Sequence, residues 1–376
     1  MLERYSYSNG KKLRCGYTTG TCATAAAKAS VTALLTGSMP DEVSVILPDN
    51  TKLSVPVTDG FFDENMARCA VKKDGGDDID VTNGILVYAV VRRTVSGISV
   101  DGGAGIGRVT KKGLDQPVGA AAINSTPRRM IIDAVTDVCD KLCYEGGIEV
   151  IIEVPEGAVI AEKTFNPRLG IEGGISILGT SGIVEPMSEQ ALIDTIRVEI
   201  NIKREEGCRY LLITPGNYGL DYVRGNTLLD ASRAVKCSNF IGNTLDMAKE
   251  AGFEKILLIG HIGKLVKLSL GIMNTHSSCA DGRMEALAAC CIEAETSYDI
   301  LLKVITCNTT DEAVELLKEN KCLDDVMDRL MKKIEKVMNN RVGDDIQCAA
   351  VVFSNVHGML GMTSHAEEML KISEGF

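Results

Sequence analysis

A group of hydroxyl residues around a glycine, Thr18-Thr19-Gly20-Thr21, stands immediately before an alanine-rich segment. The alanines predict a helix, with Thr19 or Thr21 as its N-cap and Gly37 as the residue that ends it. The first N–H groups of a helix have no partner inside the helix, and the positive end of its dipole lies there too. Such a turn can bind an anion or donate hydrogen bonds to a carboxylate. The same residues also describe a capped, buried helix, and residue types alone slightly favour that interpretation.

Glycine, asparagine, tyrosine and histidine recur in three loops of the second half of the chain, at residues 215–219, 260–264 and 354–358. Each loop follows a predicted apolar strand, and ligands of open parallel sheets bind at the carboxyl ends of the strands. Each loop taken singly is better explained as a tight turn, but three polar loops at one edge favour a shared site. The residues expected to contact its ligand are Gly216, Asn217, Tyr218, Gly260, His261, Gly263, Asn355 and Gly358.

The elements that would position these residues fall into two predicted domains, residues 1–195 and 196–376. The first has strands at 43–47, 53–57, 67–71, 85–91, 98–100 and 148–154. It also has a helix that begins at Pro127 and buries one face, formed by Met130, Ile131, Ala134, Val135, Val138 and Leu142. Few helices alternate with these strands, which is typical of the α+β class. The second has apolar strands at 210–214, 255–259 and 348–353 among helices at 189–204, 239–251, 283–294, 311–318 and 323–339. This order predicts a smaller α/β domain with a parallel sheet covered on both faces.

The composition excludes several classes of protein. The 376 residues are 45% hydrophobic and 24% charged, which describes a globular protein. The net charge of −11 argues against nucleic acid as a partner. No uninterrupted apolar run reaches about 18 residues, so no membrane span is predicted. The N-terminal residues, from Met1 to Ser6, lack the apolar core of a signal peptide, which indicates the cytoplasm. Nothing in the sequence indicates an oligomeric state.

The metal-ligating residue types are numerous but poorly spaced for a metal site. Thirteen cysteines are an odd number without any C-x-x-C pair, and Cys290-Cys291 lies in an apolar helical run, which favours core packing. The four histidines show no His-x-x-x-His spacing, so no protein-bound metal is predicted. The cluster Asp74, Asp77, Asp78 and Asp80 could bind a cation, but it lacks the EF-hand pattern, and an acidic capping turn is the commoner arrangement.

Six blocks of sequence resemble the cobalt-precorrin-5B (C1)-methyltransferases of anaerobic cobalamin biosynthesis. They are RCGYTTGTCATAAAK (14–28), KKDGGDDIDVT (72–82), GGAGIGRVT (102–110), AIN with PRR (122–129), FNPRLGIEGGISILGTSGIV (165–184) and ITPGN (213–217). The first five keep their order over about the first half of the chain, and the sixth carries the likeness into the second half. Cys15 stands where threonine is more usual, and Ile79 where proline is common. Neither change removes a charge.

The resemblance implies an enzyme that moves a methyl group from S-adenosylmethionine to C-1 of cobalt-precorrin-5B and so gives cobalt-precorrin-6A. S-adenosylmethionine would be a co-substrate, and cobalt would arrive only within the tetrapyrrole. The resemblance also implies that the α+β domain is related to a permuted ribosomal-protein-S5-like fold. We expect that domain to bind the tetrapyrrole and the α/β domain to bind the methyl donor. No residue is assigned as catalytic.

The implied substrate is a flat macrocycle with acetate and propionate side chains, which call for cations at its rim. Arginine suits this role because its planar fork donates two parallel hydrogen bonds to a carboxylate. The residues expected to bind the substrate lie within the family-like blocks: Arg14, Thr18, Thr19, Thr21, Lys72, Lys73, Arg108, Arg128, Arg129 and Arg168. The glycines from Gly102 to Gly107 do not follow the G-x-G-x-x-G pattern, and their expected role is backbone contact with a bulky ligand.

Two alternatives stay open at this point. S5-like domains also occur in small-molecule kinases, so a nucleotide-dependent kinase or transferase could use the Gly102–Gly107 segment to hold phosphates. A non-catalytic tetrapyrrole carrier would bind the corrinoid without turnover. The first predicts Mg-dependent ATP binding, and the second predicts binding without a change in the mass of the tetrapyrrole.

Overall fold

The computed structural model describes residues 3–8, 10–372 and 375–376. The chain divides into two compact units, Met1–Glu189 and Gln190–Phe376. The boundary expected near residue 195 falls inside a helix that begins at Glu189, a few residues after the division seen in the structure. Met1 and Leu2, which belong to the segment considered as a leader sequence, lie outside the described residues.

The first unit contains thirteen described strands and four helices. The strands are β1 Tyr5–Ser8, β2 Lys11–Arg14, β3 Gly16–Tyr17, β4 Glu42–Ile46, β5 Lys52–Pro56, β6 Thr58–Phe62, β7 Met66–Lys72, β8 Leu86–Thr94, β9 Ile98–Gly102, β10 Arg108–Val109, β11 Gly147–Glu153, β12 Ile171–Glu172 and β13 Ile183–Val184. The helices are α1 Thr19–Thr36, α2 Ser125–Lys141, α3 Gly157–Ala161 and α4 Asn166–Leu169.

The main sheet of this unit has the strand order β6-β7-β8-β11-β9, antiparallel except for the parallel pair β9 and β11. Alternate residues of its central strands, such as Cys69, Ala89 and Val150, are buried against α1 and α2. The small side chains of α1 allow it to lie close to β7 and β8. The buried Ser30 Oγ satisfies its hydrogen bond by donating to Ala89 O at 2.8 Å. The observed architecture is therefore a sheet with helices on one face.

The second unit contains five strands and nine helices within the described residues. The strands are β14 Tyr210–Thr214, β15 Val235–Lys236, β16 Lys255–His261, β17 Gln347–Ser354 and β18 Gly358–Met362. The helices are α5 Glu189–Glu205, α6 Asn217–Asn226, α7 Ile241–Glu250, α8 Ile262–Leu265, α9 Arg283–Glu293, α10 Tyr298–Ile305, α11 Thr310–Glu319, α12 Leu323–Val342 and α13 Ala366–Lys371. Short 3-10 turns occupy Ala231–Arg233 and Val266–Leu270.

The sheet of the second unit has the order β15-β14-β16-β17-β18, in which only β18 is antiparallel. Its central strands are buried on both faces, as continuous apolar strands predict. Leu211 and Ile256 pack with α7, α9 and α12, whereas Leu212 and Leu257 pack with α6 and α13. The parallel sheet expected from the sequence is present.

Several predicted details were wrong. Thr18, and neither Thr19 nor Thr21, is the N-cap of α1, and its Oγ1 accepts from Thr21 N at 3.2 Å. Helix α2 begins at Ser125, two residues before Pro127, and Leu142 lies beyond its end with 43% of its surface exposed. The sequence analysis missed α6, α10 and the edge strands β6, β15 and β18, which are short or weakly periodic. In the described residues, no helix combines the length and apolarity needed to cross a bilayer.

Candidate functional site

A cavity of about 460 Å³ opens at the carboxyl edge of the parallel sheet, within the second unit. The loops after β14 and β16 form its walls, because parallel neighbours end at the same edge. The lining residues are Pro215, Gly216, Asn217, Tyr218, Gly219, His261, Gly263 and Lys264.

The start of α6 forms one wall of this cavity. Gly216 has φ +127°, a conformation that side chains rarely adopt, and no side chain caps the first N–H groups of the helix. Gly219 allows α6 to approach the sheet, because a Cβ atom there would lie 2.8 Å from Ile259 O. The uncapped helix start therefore lies directly at the cavity.

Another wall carries a histidine held by one backbone hydrogen bond. Nδ1 of His261 accepts from Gly263 N at 3.1 Å, and Nε2 lies 3.9 Å from Oδ2 of Asp311. Ser354 Oγ donates to the other oxygen of Asp311 at 2.6 Å. Burial lowers the pKa of His261, and Asp311 offsets part of that effect. The ring is therefore neutral near pH 7, with its proton on Nε2, and the Tyr218 ring lies beside it at a centroid distance of 6.1 Å.

A lysine at the cavity has no acidic partner. Lys264 is half-buried and donates to Pro215 O at 2.8 Å, and no carboxylate of the described residues lies within ion-pair distance of it. Burial lowers the pKa of Lys264, and the neighbouring Lys267 lowers it further. Lys267 itself is 3% exposed and donates to the carbonyls of Thr275 and Ala280.

Five of the eight residues predicted for this site line the cavity: Gly216, Asn217, Tyr218, His261 and Gly263. The other three do not line it. Gly260 is buried in β16, where a Cβ atom would meet the side chain of Leu265 at 2.9 Å. Asn355 lies in the exposed turn after β17, and Gly358 is the exposed first residue of β18. Lys264 and Asp311 were missed as site residues, although Lys264 is the last residue of the predicted loop 260–264.

The threonines at the start of α1 are buried inside the first unit. Thr19 Oγ1 accepts from Leu178 N at 3.0 Å, and Thr21 Oγ1 donates to Gly182 O at 2.7 Å. The backbone follows the same pattern, since Gly20 N donates to Leu178 O at 3.0 Å. The segment 176–182 thus covers the helix start. The chain itself supplies partners for Thr18, Thr19 and Thr21, and their role in binding the substrate stays a prediction.

Two of the expected substrate-binding cations are paired inside the protein. The guanidinium of Arg14 donates to both oxygens of Asp74 at 2.6 and 2.7 Å, and each side chain helps to hold the other charged, since Arg14 lowers the pKa of Asp74. The side chain of Lys73 is 2% exposed and lies 2.6 Å from Oδ2 of Asp80. Lys73 cannot reach a ligand in solution, and the bidentate pair occupies the fork of Arg14.

Two other cations of the expected group bond to residues of β9, an edge strand of the main sheet. Arg108 donates to both oxygens of Asp101 and to Gly102 O, and Arg128 donates to Val100 O at 2.5 Å. Arg128 Nε is buried without a partner in the described residues. Lys72, Arg129 and Arg168 are exposed.

The glycine run from Gly102 to Gly107 packs against the protein's own backbone. A Cβ atom on Gly105 would lie 1.8 Å from Val154 O, and one on Gly174 would lie 2.2 Å from Gly105 O. Gly103 N and Gly107 N donate to the carbonyls of Ile152 and Ile175. The predicted contact of this backbone with a bulky ligand was therefore wrong, and the donors that a phosphate cradle would need at these two residues are occupied.

The acidic cluster, Asp74, Asp77, Asp78 and Asp80, also accepts hydrogen bonds from other parts of the first unit. Asp74 and Asp77 hold Arg14, Asp78 accepts from Met187 N, and Asp80 accepts from Lys73 and Thr82. No group of three or more metal-ligating side chains is gathered in the described parts of the chain. The cluster is thus an acidic turn with internal partners.

Comparison with known proteins identifies the family. The family model described as CbiD matches residues 6–186, and the one described as CbiD, C-terminal domain, matches residues 274–364. A relative from Ruminiclostridium cellulolyticum, named Cobalt-precorrin-5B C(1)-methyltransferase, is 46% identical over 375 residues that cover 98% of each chain. A relative of the same name from Alkaliphilus metalliredigens is 43% identical over 377 residues, 100% of this chain and 99% of its own.

A solved structure is also similar. It is the crystal structure of cobalamin biosynthesis protein (cbiD) from Archaeoglobus fulgidus, which is 29% identical and aligns with 73% of this chain and 86% of its own, at a TM-score of 0.40. Because curated relatives match this chain at more than 40% identity along almost its whole length, the chain belongs to the CbiD family.

Proposed function

We propose that this chain is a cobalt-precorrin-5B C(1)-methyltransferase that uses S-adenosylmethionine as the methyl donor. The observation that carries the proposal is the 46% identity to a relative of that name over 98% of both chains. A match of this extent includes both units, so the two chains share more than a single domain.

We propose the cavity of the second unit as the site of the methyl donor, and its residues suit the parts of S-adenosylmethionine. The rings of Tyr218 and His261 offer surfaces for the adenine, and Asn217 offers an amide for a hydroxyl or a ring nitrogen. Lys264 offers a cation for the carboxylate of the methionine part. The volume of about 460 Å³ lies within the range of small-molecule sites.

When bound, S-adenosylmethionine supplies an electrophilic methyl group on a sulfonium sulfur. The attacking carbon belongs to the macrocycle, so the protein need not form a covalent bond. Its residues would hold the two reactants in line and keep water away from the reacting atoms. Neutral His261, oriented by the hydrogen bond from Gly263 N–H, offers an N–H donor without adding a positive charge beside the sulfonium.

We propose the first unit, as a permuted S5-like domain, for binding the tetrapyrrole. Of the cations expected at the macrocycle rim, the exposed Lys72, Arg129 and Arg168 stay in this proposal, together with Arg128, whose buried Nε has no partner in the described residues. Arg14, Lys73 and Arg108 leave it, because Asp74, Asp80 and Asp101 occupy them.

Anaerobic incubation of the pure protein with S-adenosylmethionine and cobalt-precorrin-5B tests the activity. Mass spectrometry should show a tetrapyrrole that has gained a methyl group and lost a proton, together with S-adenosylhomocysteine. An unchanged tetrapyrrole mass with bound corrinoid would favour the carrier. Mg-dependent ATP binding without S-adenosylhomocysteine binding would favour the kinase, which the occupied N–H groups of the Gly102–Gly107 run already disfavour.

A further inference from the structure

The carboxyl edge of the parallel sheet collects three lysines for which the described residues provide no carboxylate partner within 4 Å. Lys264 lines the cavity, Lys267 is buried next to it, and Lys236 donates to Asn217 Oδ1, another lining residue, at 3.2 Å. The chain carries 51 acidic residues against 40 basic ones. In the first unit, by contrast, Lys28 and Lys141 share Asp137.

Burial without a counter-charge is costly for a cation. Lys264 recovers part of that cost from a single carbonyl, Pro215 O, and an ammonium group has two further donors. Lys267 uses two carbonyls, Thr275 O and Ala280 O. Carbonyl dipoles satisfy hydrogen bonds but do not neutralise the two ammonium groups, and Asp311, the acid near this cavity, lies beside His261.

The start of α6 adds to this positive field. Asn217, Tyr218 and Gly219 form the first turn of a ten-residue helix, line the cavity, and have no capping side chain. The dipole of such a helix favours an anion at this end. The lysines and the start of α6 therefore both favour an anion in the cavity, and the lysines contribute the full charges.

We propose that Lys264 is the residue that binds a ligand carboxylate in this cavity, with Lys267 and Lys236 supporting the field. The inference rests on the proposed function and specifies how that site selects its ligand. Two ligands of the proposed reaction carry carboxylates: the methionine part of the methyl donor and the acetate and propionate groups of the tetrapyrrole. The size of the cavity and its rings favour the methyl donor as the source.

Calorimetry on the full chain separates these sources. The ligands are S-adenosylhomocysteine, 5′-methylthioadenosine, which keeps the nucleoside and the sulfur but has no carboxylate, and cobalt-precorrin-5B. The variant is Lys264→Met, which keeps an unbranched side chain one atom shorter and removes the charge. Lys264→Arg restores a carboxylate donor, and Lys332→Met removes a surface lysine of the same unit that pairs with Asp328.

Lys264→Met should weaken S-adenosylhomocysteine binding by about tenfold to a hundredfold, the effect of losing one charge-assisted hydrogen bond. Binding of 5′-methylthioadenosine should not change. Lys264→Arg should recover most of the affinity, and Lys332→Met should bind all three ligands as the parent does. If only cobalt-precorrin-5B binding falls, Lys264 binds a carboxylate of the tetrapyrrole instead.

Equal loss for S-adenosylhomocysteine and 5′-methylthioadenosine would overturn the inference, because the lysine would then act on the shape of the site. Unchanged affinity for all three ligands would overturn it as well. A parent protein that does not bind S-adenosylhomocysteine would refute the proposed donor site, and the tetrapyrrole titration would then decide the role of Lys264. If Lys264→Met does not fold, Lys264→Gln replaces it, since its amide can still donate to Pro215 O without carrying a charge.

Discussion

Two pairs of cations, one in each unit, have different kinds of partner. In the first unit, Arg14 and Lys73 have carboxylate partners within 2.6 Å, and these pairs join segments that are distant in sequence or hold a tight turn. In the second unit, Lys264 and Lys267 meet only carbonyls among the described residues. At the scale of residues, a paired cation contributes to the structure, whereas an unpaired one is available to a ligand.

The pair of Lys73 and Asp80 provides a direct test of the structural role. Asp80→Asn should leave Lys73 buried without a counter-charge, and losing one partner of a buried pair costs about 3–5 kcal/mol of unfolding free energy. Chemical denaturation measures this change. Asp328→Asn is the matched control, since its pair with Lys332 is on the surface and should contribute less than about 1 kcal/mol.

The same pair predicts a dependence on pH. Burial alone would raise the pKa of Asp80, but Lys73 and Thr82 together lower it below its ordinary value. The stabilisation is therefore complete above the pKa of an unfolded aspartate, about 3.9, and is lost as the pH falls through the lowered value. The difference in stability between the parent and Asp80→Asn should shrink in that acidic range. A constant difference would contradict the ion pair.

At the scale of elements, glycines let separate segments of the first unit cross at backbone distance. Gly105 lies against Val154, Gly157 and Gly174, so that the segments containing β9 to β12 pack without side chains between them. Gly16 and Gly76 likewise allow close backbone contact where β3 crosses the acidic turn. A Cβ atom on Gly16 would lie 2.3 Å from Asp74 O. The glycine-rich blocks therefore build the fold at these positions.

Two glycines with nearly the same positive φ allow the cost of this close packing to be distinguished from the cost of backbone strain. Gly105 has φ +72° and Gly97 has φ +76°, but a Cβ atom on Gly97 would meet nothing within 4 Å. Gly97→Ala should cost about 1 kcal/mol from the strain alone. Gly105→Ala should cost about 4 kcal/mol or more, or prevent folding, because the methyl group overlaps Val154 O. Equal unfolding free energies for the two variants would contradict the close packing.

At the scale of the whole molecule, each unit has its own hydrophobic core. The first contains one large cluster, and the second contains one on each face of its sheet. Most of the thirteen cysteines belong to these cores, as Cys22, Cys237, Cys290 and Cys348 do. Burial raises the pKa of each of these four thiols to about 12. They are packing residues and poor nucleophiles.

Cysteine labelling therefore tests both units at once. All thirteen cysteines lie in the described residues and are free, and only Cys143 and Cys279 are exposed. Because alkylation requires an accessible thiolate, brief treatment of the native protein with iodoacetamide should modify these two sites first. Peptide mass spectrometry identifies the sites, and labelling in denaturant should reach all thirteen. Rapid modification of Cys22 or Cys348 in the native protein would contradict the buried cores.

The sequence by itself determined the features that depend on neighbouring residues. Alanines predicted α1, with its end at Gly37, and apolar strands among helices predicted the parallel sheet. The order of the sheet then brought two of the three predicted polar loops to one cavity, because parallel strands share a carboxyl edge. The family-like blocks indicated the CbiD family, which the comparisons confirm.

The tertiary structure decided which of these residues are free to bind a ligand. Arg14 meets Asp74 across 60 residues, and Thr19 meets Leu178 across 159, so no local pattern could show that either side chain is occupied. Nothing in the sequence near Lys264 indicates that the folded chain gives it a carbonyl and no carboxylate partner among the described residues. Periodicity is a property of adjacent residues, whereas burial and ion pairing depend on segments that only the folded chain brings together.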